Sequence, residues 1–127
     1  MTDLETVMKH FKRGFAKADR AEFDRSVTED FEWHMNWYET PEQQPTGKIL
    51  QGLDEVLAEI RRRQSGWTEL TYSDVTETYT PELVVQTFVV SGVYETGLRF
   101  NNAAVDLYPV RDGKIARKQT YWKHAQP

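Results

Sequence analysis

The chain has 127 residues, a formal net charge of −4, 39% hydrophobic and 13% aromatic residues, and no cysteine. That length sustains one domain with one core, residues 1–127, and the missing thiols exclude disulfides, thiolate catalysis and most structural zinc sites. The acidic balance and the shortness of the one basic run, Arg61-Arg62-Arg63, offer no footprint for nucleic acid, and no apolar run nears the roughly 18 residues a membrane span needs.

Met1-Thr2-Asp3 opens directly into a helical pattern, so the expectation is a cytoplasmic chain without a leader. Thr2-Asp3-Leu4-Glu5 reads as a capping box, and Leu4, Val7, Met8, Phe11 and Phe15 mark one helical face, with His10 on the polar side. Asp19, followed three residues on by Glu22, caps a second short helix whose apolar side is Phe23 and Val27. Residues 31–38 alternate as a strand does. Trp33, Met35 and Trp37 share one face of it, and Glu32, His34 and Asn36 the other. Glu39 to Lys48, with two prolines and two glutamines, reads as a loop. Gly52 leads into a third helix carrying Leu53, Val56, Leu57 and Ile60 at the i, i+3, i+4, i+7 spacing, ended by Ser65-Gly66. The arginine run closes that helix, where cations complement the dipole, and is expected to be a solvated last turn.

After Trp67 the chain is β-rich. Strands are expected over 69–79, 83–95, 98–110 and 114–124, separated by Thr80-Pro81-Glu82, Thr96-Gly97 and Arg111-Asp112-Gly113. The order α-α-β-α-β-β-β-β collects three helices on one face of a curved antiparallel sheet, an α+β architecture. The last hairpin carries the chemistry. A three-residue loop Arg111–Gly113 pairs Val110 with Lys114, and counting back sets Asp106 opposite Lys118, Ala104 opposite Thr120, and Asn102 opposite Trp122. On a cavity wall, such a carboxylate and ammonium would have strongly perturbed proton affinities. On a solvent or dimer face they would be an ordinary ion pair, and the opposite face, with Val105, Leu107, Ile115 and Tyr121, is the more apolar of the two. A two-residue Asp112-Gly113 turn would instead set Leu107 against Lys118 and separate the pair. Glu32 and His34 are too few for a metal site, His124 carries no signal, and Arg99 and Asp74 are expected near the pocket rim with their facing left open.

The helix–Asp19 turn–helix, the aromatic strand, the Gly52-led helix and the terminal Asp106…Asp112-Gly113-Lys114-Ile115…Tyr121-Trp122 together resemble the nuclear transport factor 2-like superfamily. The nearest branch is that of ketosteroid isomerases and SnoaL-like polyketide cyclases. The resemblance covers nearly the whole chain and implies a cone-shaped curved sheet wrapped around three helices, with a deep pocket between. It implies cofactor-free chemistry on a small, apolar or aromatic carbonyl compound, in a homodimer joined through the outer face of the sheet. Because this fold hosts many chemistries, a non-catalytic binding or dimerisation domain is the competing expectation.

Carried over position by position, the resemblance is partial. Asp106 falls on the oxyanion-hole aspartate of ketosteroid isomerases, but Phe11 stands at the tyrosine and Met35 at the general base, so that catalytic set is incomplete. Limonene epoxide hydrolases carry an aspartate where this chain has Thr120, and scytalone dehydratases use pocket histidines absent between Trp37 and His124. SnoaL-like cyclases carry their aspartate on the terminal strand, which here reads Ala116 to Trp122 without an acid. The expected catalytic groups are therefore Asp106 and Lys118. Trp33, Met35, Trp37, Asn102, Thr120, Trp122 and Phe11 are the expected ligand contacts. Three roles stay open: Asp106 as a neutral hydrogen-bond donor, Asp106 as an ionised base beside the Lys118 cation, or Lys118 as an amine nucleophile.

Overall fold

The computed structural model describes residues 3–36 and 47–123. Two helices, α1 (Leu4–Lys17) and α2 (Arg20–Asp24), precede strand β1 (Val27–Met35). A short strand β2 (Lys48–Gln51) then leads into helix α3 (Gly52–Gly66). Four long strands complete the chain: β3 (Thr68–Tyr79), β4 (Leu83–Val93), β5 (Arg99–Arg111) and β6 (Lys114–Trp122). They form one six-stranded sheet in the order β2-β1-β6-β5-β4-β3. The expected α+β arrangement of three helices on a curved sheet is thus present, with two additions. Strand β2 pairs antiparallel with β1 where the sequence suggested only loop and helix lead-in. The β1–β6 pairing is parallel, so the sheet is mixed rather than wholly antiparallel.

The helix ends follow from local chemistry. Asp3 rather than Thr2 caps α1, its carboxylate accepting from Glu5 N at 3.1 Å, and Asp19 caps α2 through Ala21 N at 3.0 Å. Ala18, with φ of 51°, makes the left-handed turn between them. The two helices touch closely because Gly14 has no side chain: a Cβ there would meet the Phe23 ring at 3.2 Å. Val27, expected on α2, instead opens β1 and bridges to Ile115.

Helices α1 and α3 lay their apolar stripes on the concave face of the sheet. Val7, Met8 and Phe11 from α1 and Val56, Leu57 and Ile60 from α3 pack with Phe31, Trp33, Met35 and Tyr108 in one core. Burying each such large side chain contributes roughly 1.5–3 kcal/mol. A second cluster of Trp67, Phe88, Val90, Phe100 and Ala104 fills the other end of the sheet. Between the two lies an opening that neither cluster fills. No described helix is long and apolar enough to cross a membrane.

Candidate functional site

The last hairpin sets the site, by a route that differs from the expected register. Asp112 and Gly113 both take positive φ, 54° and 75°. That makes a two-residue turn of the primed type, pairing Arg111 with Lys114 and Val110 with Ile115. The expected three-residue loop, and the Val110–Lys114 pairing that followed from it, are therefore corrected. Further along, β6 holds one residue more than β5 between the pairs Val110–Ile115 and Leu107–Gln119, a β-bulge. Beyond it Asp106 faces Thr120 and Ala104 faces Trp122, so none of the expected pairings Asp106–Lys118, Ala104–Thr120 and Asn102–Trp122 holds.

The bulge nevertheless rescues the inference drawn from that register. Strict alternation would put Ile115 and Lys118 on opposite faces, yet Ile115 is fully buried and Lys118 only 7% exposed. With the bulge between them both side chains point inward. Lys118 therefore reaches Asp106 diagonally, Nζ to Oδ2 at 2.7 Å, and the two-residue turn does not separate the pair.

Asp106 and Tyr108 alternate inward on β5, and both are buried. The Tyr108 hydroxyl donates to Asp106 Oδ2 at 3.0 Å and accepts from Lys118 Nζ at 3.0 Å, closing a three-membered polar ring. Two donors converge on one carboxylate oxygen, Oδ2, and the ammonium contact of 2.7 Å is the shorter of the two. Its other oxygen, Oδ1, is buried and has no hydrogen-bond partner among the described residues. Burial pulls the Lys118 ammonium below the ordinary lysine range, and the charge and hydrogen bond of Asp106 offset only part of that. Burial, with the Asp106 charge beside it, pushes the Tyr108 phenol well above its ordinary value. Phe15 and Trp33 face the ammonium, their ring centres 4.6 and 5.6 Å from Nζ.

These groups line a cavity of about 260 Å³. Its floor is Asp106, Tyr108, Lys118 and Thr120, and its walls include Phe11, Phe15, Trp33, Phe88 and Trp122. The exposed residues Lys12, Ala16, Tyr72 and Val75 also border it, placing the mouth between α1 and β3. Lys12 Nζ and Glu77 Oε2, 3.0 Å apart, tie those two elements together at the rim.

Arg63 forms a second buried ion pair on the same wall. Its Nε donates to Glu59 Oε2 at 2.8 Å, and its guanidinium lies 4.6 Å from the Trp33 ring centre and 4.5 Å from that of Trp67. Arg62 also donates to both Glu59 oxygens, at 3.0 and 2.8 Å. Burial alone would raise the Glu59 carboxyl, but the hydrogen bonds and charges of Arg62 and Arg63 outweigh it and hold the group below its ordinary value. The arginine run is thus not a uniformly solvated last turn: Arg61 is exposed, Arg62 is exposed but bridges Glu59 to Glu95, and Arg63 is core. Its place was readable from spacing, since Val56, Ile60 and Arg63 fall at i, i+4 and i+7 of α3.

A family model of the SnoaL-like domain matches residues 7–118. The chain belongs to the SnoaL-like domain family. No curated protein sequence matches it. Among solved structures, an NTF2-like protein of Burkholderia xenovorans is similar with a TM-score of 0.79 at 18% identity, over 94% of this chain and 88% of that one. A candidate polyketide cyclase from Silicibacter gives 0.70 at 18% identity, over 94% and 88%. A protein of ketosteroid isomerase-like fold from Catenulispora acidiphila, solved in complex with trimethylamine, gives 0.66 at 11% identity, over 91% and 83%. At such identities these likenesses carry the fold alone.

In this SnoaL-like domain the expected site residues divide. Asp106, Lys118, Phe11, Trp33, Thr120 and Trp122 all line the cavity. Thr120 accepts from Trp33 Nε1 at 3.0 Å, which fixes the indole against the wall. Met35 does not line it: the side chain is core, where its sulfur accepts from Arg63 Nη2 at 3.3 Å. Asn102 shares the face of β5 with Asp106 but is half-buried, pairs with Val90 and stands outside the lining. Trp37 and His124 lie outside the described residues. Arg99 is exposed and paired with Glu69, and Asp74 is exposed with φ of 53° at an irregularity in β3, so neither borders the cavity. His34 Nε2 and Glu32 Oε1, 2.9 Å apart, lie on the other face of β1, and no group of metal-ligating side chains occurs among the described residues. Tyr108, Arg63 and Gln86 are lining residues that the sequence did not single out.

Proposed function

We propose that the protein carries out proton-transfer chemistry, an isomerisation, cyclisation or related reaction, on a small, largely apolar carbonyl compound held in the cavity. The observation that carries this reading is the Asp106 carboxylate: one oxygen holds Lys118 and Tyr108, and the other is buried beside a cavity and unpartnered. A buried acceptor left open costs about 1–3 kcal/mol, which a ligand can recover. In this reading Asp106 Oδ1 takes a proton from the carbon next to the substrate carbonyl. The charge moves to the carbonyl oxygen, where the Lys118 ammonium, with one N–H beyond those given to Asp106 and Tyr108, stabilises it. The ionised-base role is favoured over the neutral-acid role because two donors already converge on Oδ2. Carbonyl compounds whose neighbouring C–H is already activated by conjugation suit a carboxylate base. The scheme runs on side chains alone and calls for no cofactor. Aromatic walls suit planar, apolar molecules.

A specific observation favours a second reading, a binding protein without turnover. Phe11, on the cavity wall, and Met35, in the core, are buried side chains that can neither donate nor take up a proton, and the resemblance aligns them with the tyrosine and the base of ketosteroid isomerases. A tryptophan-fluorescence titration with planar phenols, quinones and cyclic enones, repeated on Asp106→Asn, separates the two. Saturable quenching with turnover lost in the variant supports catalysis; quenching with no Asp106-dependent turnover of any binder supports the binding protein. Absence of quenching by every compound would contradict both. A cytoplasmic homodimer using the outer sheet face, where Leu107 is half-buried and Tyr121 is 38% exposed, is part of the same proposal. Light scattering at several concentrations tests the dimer.

A further inference from the structure

Lys118 has surroundings that an ion-pairing lysine does not need. It is buried in an apolar cavity, its nitrogen 2.7 Å from a carboxylate oxygen and 3.0 Å from a phenol that itself donates to the same oxygen. A surface lysine would pair as well with the carboxylate alone. From this juxtaposition we infer that Lys118 is an amine nucleophile that forms an imine with an aldehyde or ketone in the cavity, Asp106 and Tyr108 handling the protons.

The steps balance within the three residues and the substrate. Lys118 passes one proton to Asp106, leaving a neutral amine beside a neutral acid, an exchange that removes two charges from an apolar space. The amine lone pair forms a C–N bond with the carbonyl carbon, and the carbonyl π electrons move to oxygen. A proton shifts from nitrogen to that oxygen through the Tyr108 hydroxyl, which lies 3.0 Å from Nζ. Asp106 then returns its proton to the new hydroxyl, the C–O bond breaks and water leaves. The products are an iminium cation on Lys118, an Asp106 carboxylate and one water. The iminium acidifies the neighbouring C–H, so Asp106 Oδ1 can remove that proton with the electron pair drawn to nitrogen. Burial, which holds the ammonium below the ordinary lysine range, favours the first step, although the rings of Phe15 and Trp33 favour the cation. The inference rests on the cavity being a site for carbonyl compounds, and it makes Lys118 a covalent group where the proton-transfer scheme needs only its charge.

Reductive trapping tests it. The wild-type protein is incubated with limiting benzaldehyde, 4-hydroxybenzaldehyde or cinnamaldehyde and sodium cyanoborohydride, and the adducts are mapped by peptide mass spectrometry. We expect one aldehyde to label Lys118 at least about tenfold faster than the exposed Lys9, Lys17 and Lys114, as proximity of proton donor and acceptor requires. Tyr108→Phe should slow labelling at Lys118 and leave the exposed lysines unchanged. Lys118→Arg keeps the cation and should lose the fast adduct. Labelling confined to exposed lysines, with all three aldehydes, overturns the inference. Should Asp106-dependent removal of an α-proton persist in that case, the proton-transfer reading stands and only the imine falls. A fast Lys118 adduct without Asp106-dependent exchange would give the reverse result.

Discussion

Two buried ion pairs border one cavity, and they are built for different ends. Glu59–Arg63 is local, four residues apart on α3, and both Glu59 oxygens are occupied by Arg62 and Arg63. Asp106–Lys118 spans two strands, depends on a turn and a bulge, and leaves Asp106 Oδ1 open. Burial is common to both, so burial does not distinguish a structural pair from a reactive one. What distinguishes them is satisfaction: each Glu59 oxygen already has a donor, whereas Asp106 Oδ1 has none among the described residues. The cations differ as well. A buried guanidinium keeps its charge, while a buried ammonium can shed its proton.

The comparison can be broken in four places. The largest effect is expected for Asp106→Asn, which should lower turnover of any accepted carbonyl substrate by about 10²–10⁴-fold, the usual weight of a positioned proton-transfer group. Steady-state kinetics would check it, and undiminished turnover would remove Asp106 from the chemistry. Next comes Glu59→Gln, which removes the carboxylate charge beside a buried guanidinium that cannot neutralise and should cost about 3–5 kcal/mol in urea unfolding. Asp106→Asn should cost clearly less in the same assay, because Lys118 can lose its proton. Equal losses would erase the distinction between the two cations. Thr120→Val leaves the buried Trp33 indole N–H without its 3.0 Å acceptor and should cost about 1–3 kcal/mol. The smallest effect concerns the hairpin alone: Gly113→Ala forces a side chain to φ of 75° with open space around it, costing about 1 kcal/mol of strain. That substitution should weaken the strand pair, read as lower affinity for a quenching ligand, and leave the α3 pair untouched.

Acid sharpens the same contrast. The folded-state Glu59 carboxyl titrates below its ordinary 4.5, so its contribution to stability is fully present above 4.5 and is lost as the pH falls through the folded value. Urea midpoints measured from neutral pH downward should therefore decline more steeply in the wild type than in Glu59→Gln. Parallel curves would mean that Glu59 is not held by its arginines.

Most of the fold was legible because each long element carries a plain period: Val7, Met8 and Phe11 for α1, the alternation through Phe31, Trp33 and Met35 for β1. Strand β2 was not, since four residues give no period to read. The Asp106–Lys118 pair was found through a register that is wrong at every position. Two irregularities of one residue each, a shorter turn and a bulge, restored the parity that brings both side chains inward. Nothing in Ala116-Arg117 announces that bulge, which lies where β6 pairs with β5 on one side and with parallel β1 on the other. Arg63 was missed for the opposite reason. Its helical spacing was visible, but an arginine at a helix end is ordinarily solvated, and only the three-dimensional meeting with Trp33 and Trp67 outweighs that rule.

The most direct test of Asp106 as a base is solvent-deuterium exchange, followed by NMR, at the carbon next to the carbonyl of a planar cyclic enone that quenches the tryptophans. The wild-type protein should accelerate incorporation of deuterium, and Asp106→Asn should bind the enone with little acceleration. Equal exchange by both proteins, with binding demonstrated for each, would contradict a proton-transferring Asp106 and leave the cavity as a binding site.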